Sequence, residues 1–372
     1  MSKPYAEDKA AIFGLPYWSD EFVGTGPFKV REWARGSHVL LAAHHQYVPG
    51  PPKIDLIEFK FIPDTTTLSA NLLAGTVDLT VGRALDLEEA LQTQGQWRDG
   101  KMYVGFKSWI ALFPQFVNPS PSVIADVRFR RALLHAIDRQ QLADVIQAGL
   151  VPVAHSYINP AEPEYKDIEA SVVRYDYDPR LAQQTVETLG YSRGTDGVFR
   201  DGSGQRLTLE LRTIGVTAQK AIFAVADAWG RVGVPTEPVQ IPAARTRDNE
   251  YRATFPGFQI FQNPNDVNAL IRLHSSRAAL AENNFRILDN HSRHMNPEFD
   301  ALIERFFRTI PPQERVQLLA RITGHISENL NVMGLYYGVE PTMIHNRLRN
   351  VTARKAQTSI QSWNAHLWDV AS

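Results

Sequence analysis

Val23–Val81 constrains the fold of this chain more than any other stretch. It opens on Gly24-Thr25-Gly26-Pro27, where two glycines and a proline call for a tight turn. Phe28, Val30 and Trp33 then fall near strand spacing, Gly36-Ser37 turns the chain, and Val39-Leu40-Leu41 returns it as a second strand. Pro49-Gly50-Pro51-Pro52 cannot be helical and closes a loop. Ile54–Ile62 reads as a third strand with Phe59 and Phe61 on one face. Asp64 is placed to cap a short helix that carries Leu68, Leu72 and Leu73 and stops at Gly75. Val77, Leu79 and Val81 alternate as a further strand. Strand, short helix and strand form a small α/β unit whose apolar face other parts of a chain must cover.

Downstream the pattern changes. Residues 111–125 hold three prolines and few charges and read as a crossover between two parts of the chain. From Asp126 the spacing is helical. Asp126 is a candidate N-cap, with Phe129, Leu133, Ala136 and Ile137 on one face; Asp138 caps a second helix that ends at Gly149. Asp178-Pro179 sets an N-cap before a proline at the first helical position, and that helix runs to Gly190. Phe199–Leu207 reads as a hairpin turn into a strand over Leu207–Leu211. Ile222, Val225, Trp229 and Val232 stripe a helix that ends at Gly233, and Val234–Ile241 follows as a strand. Pro297–Ile310 and Pro312–Leu330 read as helices, and Val332–Val339 as a buried strand. Alternating helix and strand predicts an α/β second part.

At 372 residues the chain exceeds the size at which one core stops growing. Two lobes are expected, the first over 1–115, the second over 116–340, with 341–372 returning to the first. A formal net charge of −1 gives no basis for a nucleic-acid or anionic-membrane partner. The absence of cysteine excludes disulfides, thiolate nucleophiles and cysteine-based metal sites. No apolar run has the length of a bilayer span.

Three blocks occur in a telling order. The first is Gly24-Thr25-Gly26-Pro27-Phe28-Lys29 with Trp33, Pro52-Lys53-Ile54-Asp55, Phe61-Ile62-Pro63-Asp64 and Leu73-Ala74-Gly75. The second is Asp126-Val127-Arg128-Phe129-Arg130-Arg131-Ala132-Leu133 with Ala136-Ile137-Asp138-Arg139. The third is Tyr177-Asp178-Pro179 with Leu189-Gly190-Tyr191. Together, from about Pro16 to the end, they resemble the extracytoplasmic solute-binding proteins of ABC importers, in the peptide, dipeptide and nickel class. The resemblance implies an α/β, two-lobe periplasmic binding protein-like (type II) fold with mixed β-sheets. It implies a binding protein and not an enzyme, with no cofactor. A small-molecule or short-peptide ligand would be captured between the lobes by hinge closure and delivered to ABC permease membrane subunits. The protein would act as a monomer, periplasmic or extracellular. The hinge strands are expected near Phe113–Ser122 and Pro341–Leu348. Relatives carry a long segment ahead of the Val-Gly-Thr-Gly-Pro motif, so this chain reads as a fragment. Its first lobe is expected to be incomplete, with an exposed edge and apolar face. Met1–Glu7 is polar and short and does not read as a secretion signal.

The chemistry-bearing residues give little support to catalysis. There is no Gly-x-Ser-x-Gly nucleophile turn, no phosphate loop and no dinucleotide fingerprint. His44 and His45 end a strand and point to opposite faces; His291 and His294 sit among Asp289, Asn290 and Ser292 and read as a solvated loop. A metal-dependent hydrolase built on these histidines, or a ligand-sensing module, are the competing readings. A solute site instead needs aromatic faces and a few polar groups at crossovers and strand ends. Three segments qualify: Phe113–Asn118, Tyr251–Asp266 and Leu335–Gly338. They supply the candidate ligand-binding residues Gln115, Phe116, Phe258, Gln259, Gln262, Asn263, Asp266 and Tyr336. In peptide-binding relatives the matching segment presents a tryptophan and an aspartate, which fall by resemblance near Gln259 and Gln262. Asp266 is then the nearest acid, and neutral amides that both donate and accept replace a charged anchor.

Overall fold

A computed structural model describes residues 14–18, 21–81, 84–215, 218–286, 289–352 and 361–371. Met1–Glu7 lies outside the described residues. The chain forms two compact units, one from the described residues up to Gly105 and from Glu340 on, the other from Phe106–Val339.

Unit one begins with an antiparallel sheet of β1 (Phe28–Ala34), β2 (His38–Ala43) and β3 (Leu56–Lys60), in that order. Gly36 takes φ +77° in the β1–β2 turn, a left-handed angle that favours glycine. Asp64 accepts the Thr67 amide at 2.7 Å and so starts α1 (Thr65–Leu73). The helix α2 (Leu87–Gln96) opens on a reciprocal capping box between Asp86 and Glu89. Leu68, Leu72, Leu85, Ala90, Trp97 and Met343 make a small core. The strand expected at Val77–Val81 is reduced to one bridge, between Leu79 and Ile344.

Unit two is built on a five-stranded mixed sheet. Its members are β4 (Gly100–Pro114), β5 (Leu209–Thr213), β6 (Thr236–Gln240), β7 (Phe258–Asn263) and β8 (Met333–His345), in the order β8-β4-β7-β5-β6. β4 and β7 are antiparallel, whereas β5 is parallel to both β6 and β7. The helices are α3 (Val127–His135), α4 (Arg139–Ile146), α5 (Pro179–Thr188), α6 (Gln219–Arg231), α7 (Pro297–Arg308) and α8 (Pro312–Asn329). Aspartates start three of them, Asp126 on Arg128, Asp138 on Gln141 and Asp178 on Arg180 and Leu181, each through backbone N–H donors at 2.8–3.0 Å. Trp229 on α6 is fully buried against Phe258, ring centres 5.0 Å apart, and its indole N–H donates to the Leu133 carbonyl at 2.9 Å.

Several sequence expectations shift. Trp109–Pro114 pair with β7, so residues 111–114 are sheet interior and not a crossover; the chain passes between the units at Gly105–Phe106 and Val339–Glu340. Leu207 belongs to the hairpin, its amide bonded to the Phe199 carbonyl at 2.8 Å, and β5 starts two residues later where parallel neighbours are available. Two arginines act as internal struts. The Arg130 guanidinium donates to the carbonyls of Ile124 and Asn329, both at 2.7 Å; that of Arg139 donates to those of Gly334 at 2.9 Å and Tyr175 at 2.6 Å. Burial lowers both to about 10, so both stay charged at neutral pH.

Candidate functional site

Strand ends in an open α/β sheet are where ligands collect, because side chains and backbone groups run out of ladder partners there. In unit two β7 ends at Gln262–Asn263 with the turn Pro264–Asp266, and β4 near Phe106–Trp109 and β8 near Tyr336–Val339 are the stretches where those strands leave the unit. These strands are neighbours in the sheet, which brings together residues far apart in sequence.

The centre is an amide–hydroxyl pair. The half-buried Gln262 side-chain N–H donates to Ser108 Oγ. Gly338 makes room for it: a Cβ there would sit 2.8 Å from Ser108 Oγ and 3.2 Å from Gln262 Nε2. With one of its two amide hydrogens committed to Ser108, Gln262 keeps a second N–H donor beside its carbonyl acceptor. Aromatic rings lie along the same strands, with Trp109 on the face opposite Ser108. Phe106 stacks on Tyr337 at 6.4 Å, and Trp109 meets Tyr157 edge-on at 5.1 Å. Hydrogen bonds lock two of them, Tyr337 Oη to the Ser156 carbonyl at 2.8 Å and Tyr157 Oη to that of Pro264 at 3.3 Å. The Tyr336 hydroxyl and the Trp109 indole N–H are buried without a hydrogen-bond partner among the described residues. Burial pushes the Tyr336 phenol well above its ordinary range, so it stays a neutral donor.

The candidates from sequence divide sharply. Gln262, Asn263, Tyr336 and Asp266 belong to the strand-end region, although Asp266 is occupied in accepting the amides of Asn268 at 2.7 Å and Ala269 at 2.9 Å. Gln115 is fully buried; its amide donates to the carbonyls of Ala253 at 3.0 Å and Phe255 at 2.9 Å and accepts from Val117 N–H at 3.0 Å. Gln259 donates to the Arg252 carbonyl at 2.6 Å. Phe258 is core beside Trp229, and Phe116 lies under Arg130 at 4.7 Å and against His294 at 4.8 Å. Sequence reasoning does not single out Ser108; its one signal is a hydroxyl at the head of the apolar run Trp109–Phe113 in β4.

The histidines are not in a solvated loop. His291 is packed against Phe113 at 5.3 Å and Phe261 at 4.2 Å, and burial drops its imidazole to about 3. A cavity of about 30 Å³ beside it, lined by Arg212, Arg252 and Gln259 among others, has the size of a water molecule and not of a solute. Among the described residues no group of three or more His, Cys, Asp or Glu is placed to hold a metal ion.

Comparison with known proteins gives a consistent set of likenesses. The family model described as bacterial extracellular solute-binding proteins, family 5 middle, matches residues 3–279. Heme-binding protein A of Haemophilus influenzae is 26% identical over 306 residues, covering 80% of this chain and 51% of that protein. The oligopeptide-binding protein AppA of Bacillus subtilis is 27% identical over 197 residues, covering 51% of this chain and 34% of that protein. The matches thus span about half of the first of these relatives and about a third of the second. Among solved structures, HbpA2 from Haemophilus parasuis matches with a TM-score of 0.74 at 19% identity, over 100% of this chain and 69% of its own. NikZ from Campylobacter jejuni, solved with Ni(L-His), matches with a TM-score of 0.70 at 19% identity, over 98% of this chain and 72% of its own. At such identities these structures speak for the fold, a type II periplasmic binding protein architecture.

Proposed function

The chain belongs to the bacterial extracellular solute-binding proteins of family 5, and from that membership we propose that it captures a peptide-like or other small polar solute and passes it to the membrane subunits of an ABC importer. It binds without altering its ligand and works outside the cytoplasm, in the periplasm or at the cell surface. The family match over residues 3–279 is the observation that carries this reading. Geometry narrows the chemistry. The Gln262–Ser108 pair beside Gly338 suits a ligand that offers amide or hydroxyl groups, which both donate and accept. The two strand segments at Gly105–Phe106 and Val339–Glu340 are where a hinge would act, and ligand drives closure only by binding the closed form more tightly. The relatives act as binding proteins, and His291 and His294 are packed against aromatic rings.

The test is calorimetric titration with four probes: an alanine tripeptide, a nonapeptide, nickel–histidine and haem. One class should bind with a Kd of about 1 µM, roughly 8 kcal/mol. Gly338→Ala should weaken that binding by about tenfold or more, since the new Cβ displaces the Gln262–Ser108 pair. No binding tighter than about 1 mM by any probe, or chemical change of a bound probe, would defeat the proposal.

A further inference from the structure

The water-sized cavity of unit two, about 30 Å³, lies toward the carboxyl ends of its parallel strands. Ile214 and Ile241, which line it, directly follow the last residues of β5 and β6, and Gln259 and Phe261 line it from β7. Such ends are where open α/β sheets gather ligands. Phe261 and Gln262 are successive residues of one strand and face opposite sides of the sheet, so the cavity is separate from the Gln262–Ser108 pair.

The polar part of its wall is cationic, with Arg212, Arg252 and His291. Two nearby guanidinium charges are already balanced. Arg212 is paired with Glu210 and gives Nη1 to the Tyr251 carbonyl at 2.9 Å. Arg272, whose charge also acts on His291, is paired with Asp289 at 3.4 Å. Arg252 differs. Its Nη1 donates to the Thr246 carbonyl at 3.2 Å, and among the described residues no carboxylate lies within ion-pair distance of it. It is half-buried, and that burial holds its guanidinium below the ordinary arginine range with no acid to offset the effect. The His291 ring packs on Phe113 and Phe261 and makes no hydrogen bond among the described residues, although a neutral imidazole carries one N–H donor. Gln259 fixes the arrangement: its amide donates to the Arg252 carbonyl at 2.6 Å and ties the short helix Asn249–Ala253 to β7 beside the cavity.

We propose that this cavity is a binding site for a monatomic anion, chloride above all, held by guanidinium N–H groups of Arg252 and Arg212 and by the ring N–H of His291. A water molecule would fill the same volume and accept the same hydrogen bonds. It would leave the Arg252 charge without a counter-charge, which is the costlier state for a charge withdrawn from solvent. N–H groups on a cation also bind an anion more strongly than a neutral acceptor. The wall repels cations, and a carboxylate, phosphate or sulfate is larger than the space. The site stands whichever solute the chain captures.

The test is urea unfolding of the whole chain in sodium chloride, with sodium acetate added to keep the ionic strength constant. Chloride should stabilise saturably: at a hundred times its Kd the unfolding equilibrium constant should be about a hundredfold smaller than in its absence. Sodium bromide should act alike. Arg252→Gln keeps N–H donors but removes the charge, and should weaken chloride binding by about tenfold or more. Arg231→Gln, on α6 and outside the cavity wall, should leave the response unchanged. A response that does not saturate, that survives intact in Arg252→Gln, or that is lost equally in Arg231→Gln overturns the proposal. Crystals of the parent chain soaked in sodium bromide give a readout that needs no variant to fold. An anomalous peak between Arg252 and His291 is expected; no peak there, or a peak without any effect of bromide on unfolding, overturns the proposal and leaves the cavity to water.

Discussion

Gln115→Ala separates a structural role from a ligand role at the most deeply buried of the candidate amides. The substitution deletes the two hydrogen bonds that Gln115 donates and the one it accepts. The losses are unequal. The Ala253 carbonyl keeps a second donor, Arg293 Nη1 at 3.1 Å, whereas the Phe255 carbonyl loses its side-chain donor. A buried group left unsatisfied costs about 1–3 kcal/mol, and the part-buried Val117 N–H adds about 1 kcal/mol. With the small void left by the side chain, the total is about 4 kcal/mol. That is a factor of about a thousand in the folded-to-unfolded ratio. Urea unfolding followed by tryptophan fluorescence reads it directly, because Trp109 and Trp229 are both buried in unit two. Gln115→Glu should be at least as damaging, since it sets an acceptor oxygen against two carbonyls. A shift below about 1 kcal/mol, accompanied by a large loss of solute affinity, would refute the reasoning and make Gln115 a ligand contact.

Other outcomes follow from the same geometry. Arg139→Lys should destabilise unit two by about 3 kcal/mol in urea unfolding, because an ammonium cannot reach the separate carbonyls of Gly334 and Tyr175 that the planar guanidinium spans. Acid should weaken the fold through its buried histidines. Burial lowers His155 and His294 to about 4 and His291 to about 3, below the unfolded value of 6.5, so unfolding takes up protons in this window. Stability from these groups is complete above pH 6.5 and falls as the pH drops toward 4, by at most about 1.4 kcal/mol per histidine per pH unit. His291→Phe should flatten part of that dependence in a pH series of urea midpoints; an unchanged slope would contradict it. Trp229→Phe should cost about 2 kcal/mol in the same assay, from the lost bond to Leu133 and the poorer fill beside Phe258.

What could be read in advance was local. The starts of α1, α3, α4 and α5 were legible because a cap is settled within one turn, by an aspartate beside the first free amides. The stripe Ile222, Val225, Trp229 located α6 for the same reason. Misreadings came from partners distant in sequence. Pro114 resembled the start of a linker, yet it is the last residue of β4 to pair with β7. His291 stood among polar neighbours, and the rings that enclose it come from β4 and β7. Gln262 was legible as a candidate, but its partner Ser108 lies 154 positions away and no spacing rule connects them. Gln115 and Gln259 looked equally suitable, and what separates them from Gln262 is the set of backbone carbonyls folded around each.

Six helices across both units begin on an aspartate, Asp64, Asp86, Asp126, Asp138, Asp178 and, ahead of the short helix Asn249–Ala253, Asp248, while α7 begins on Asn296. A serine in that role keeps its oxygen at any acidity, whereas a carboxylate surrenders much of its accepting power once a proton arrives. Bonds to Thr67, Arg128 and Arg245 or Tyr251 hold three of these six below the ordinary carboxylate range, which postpones the moment. When it comes, the fastenings of separate helices loosen together. Strong acid therefore attacks this architecture at many doors simultaneously, where a chain fastened by hydroxyls would give way through its interior alone.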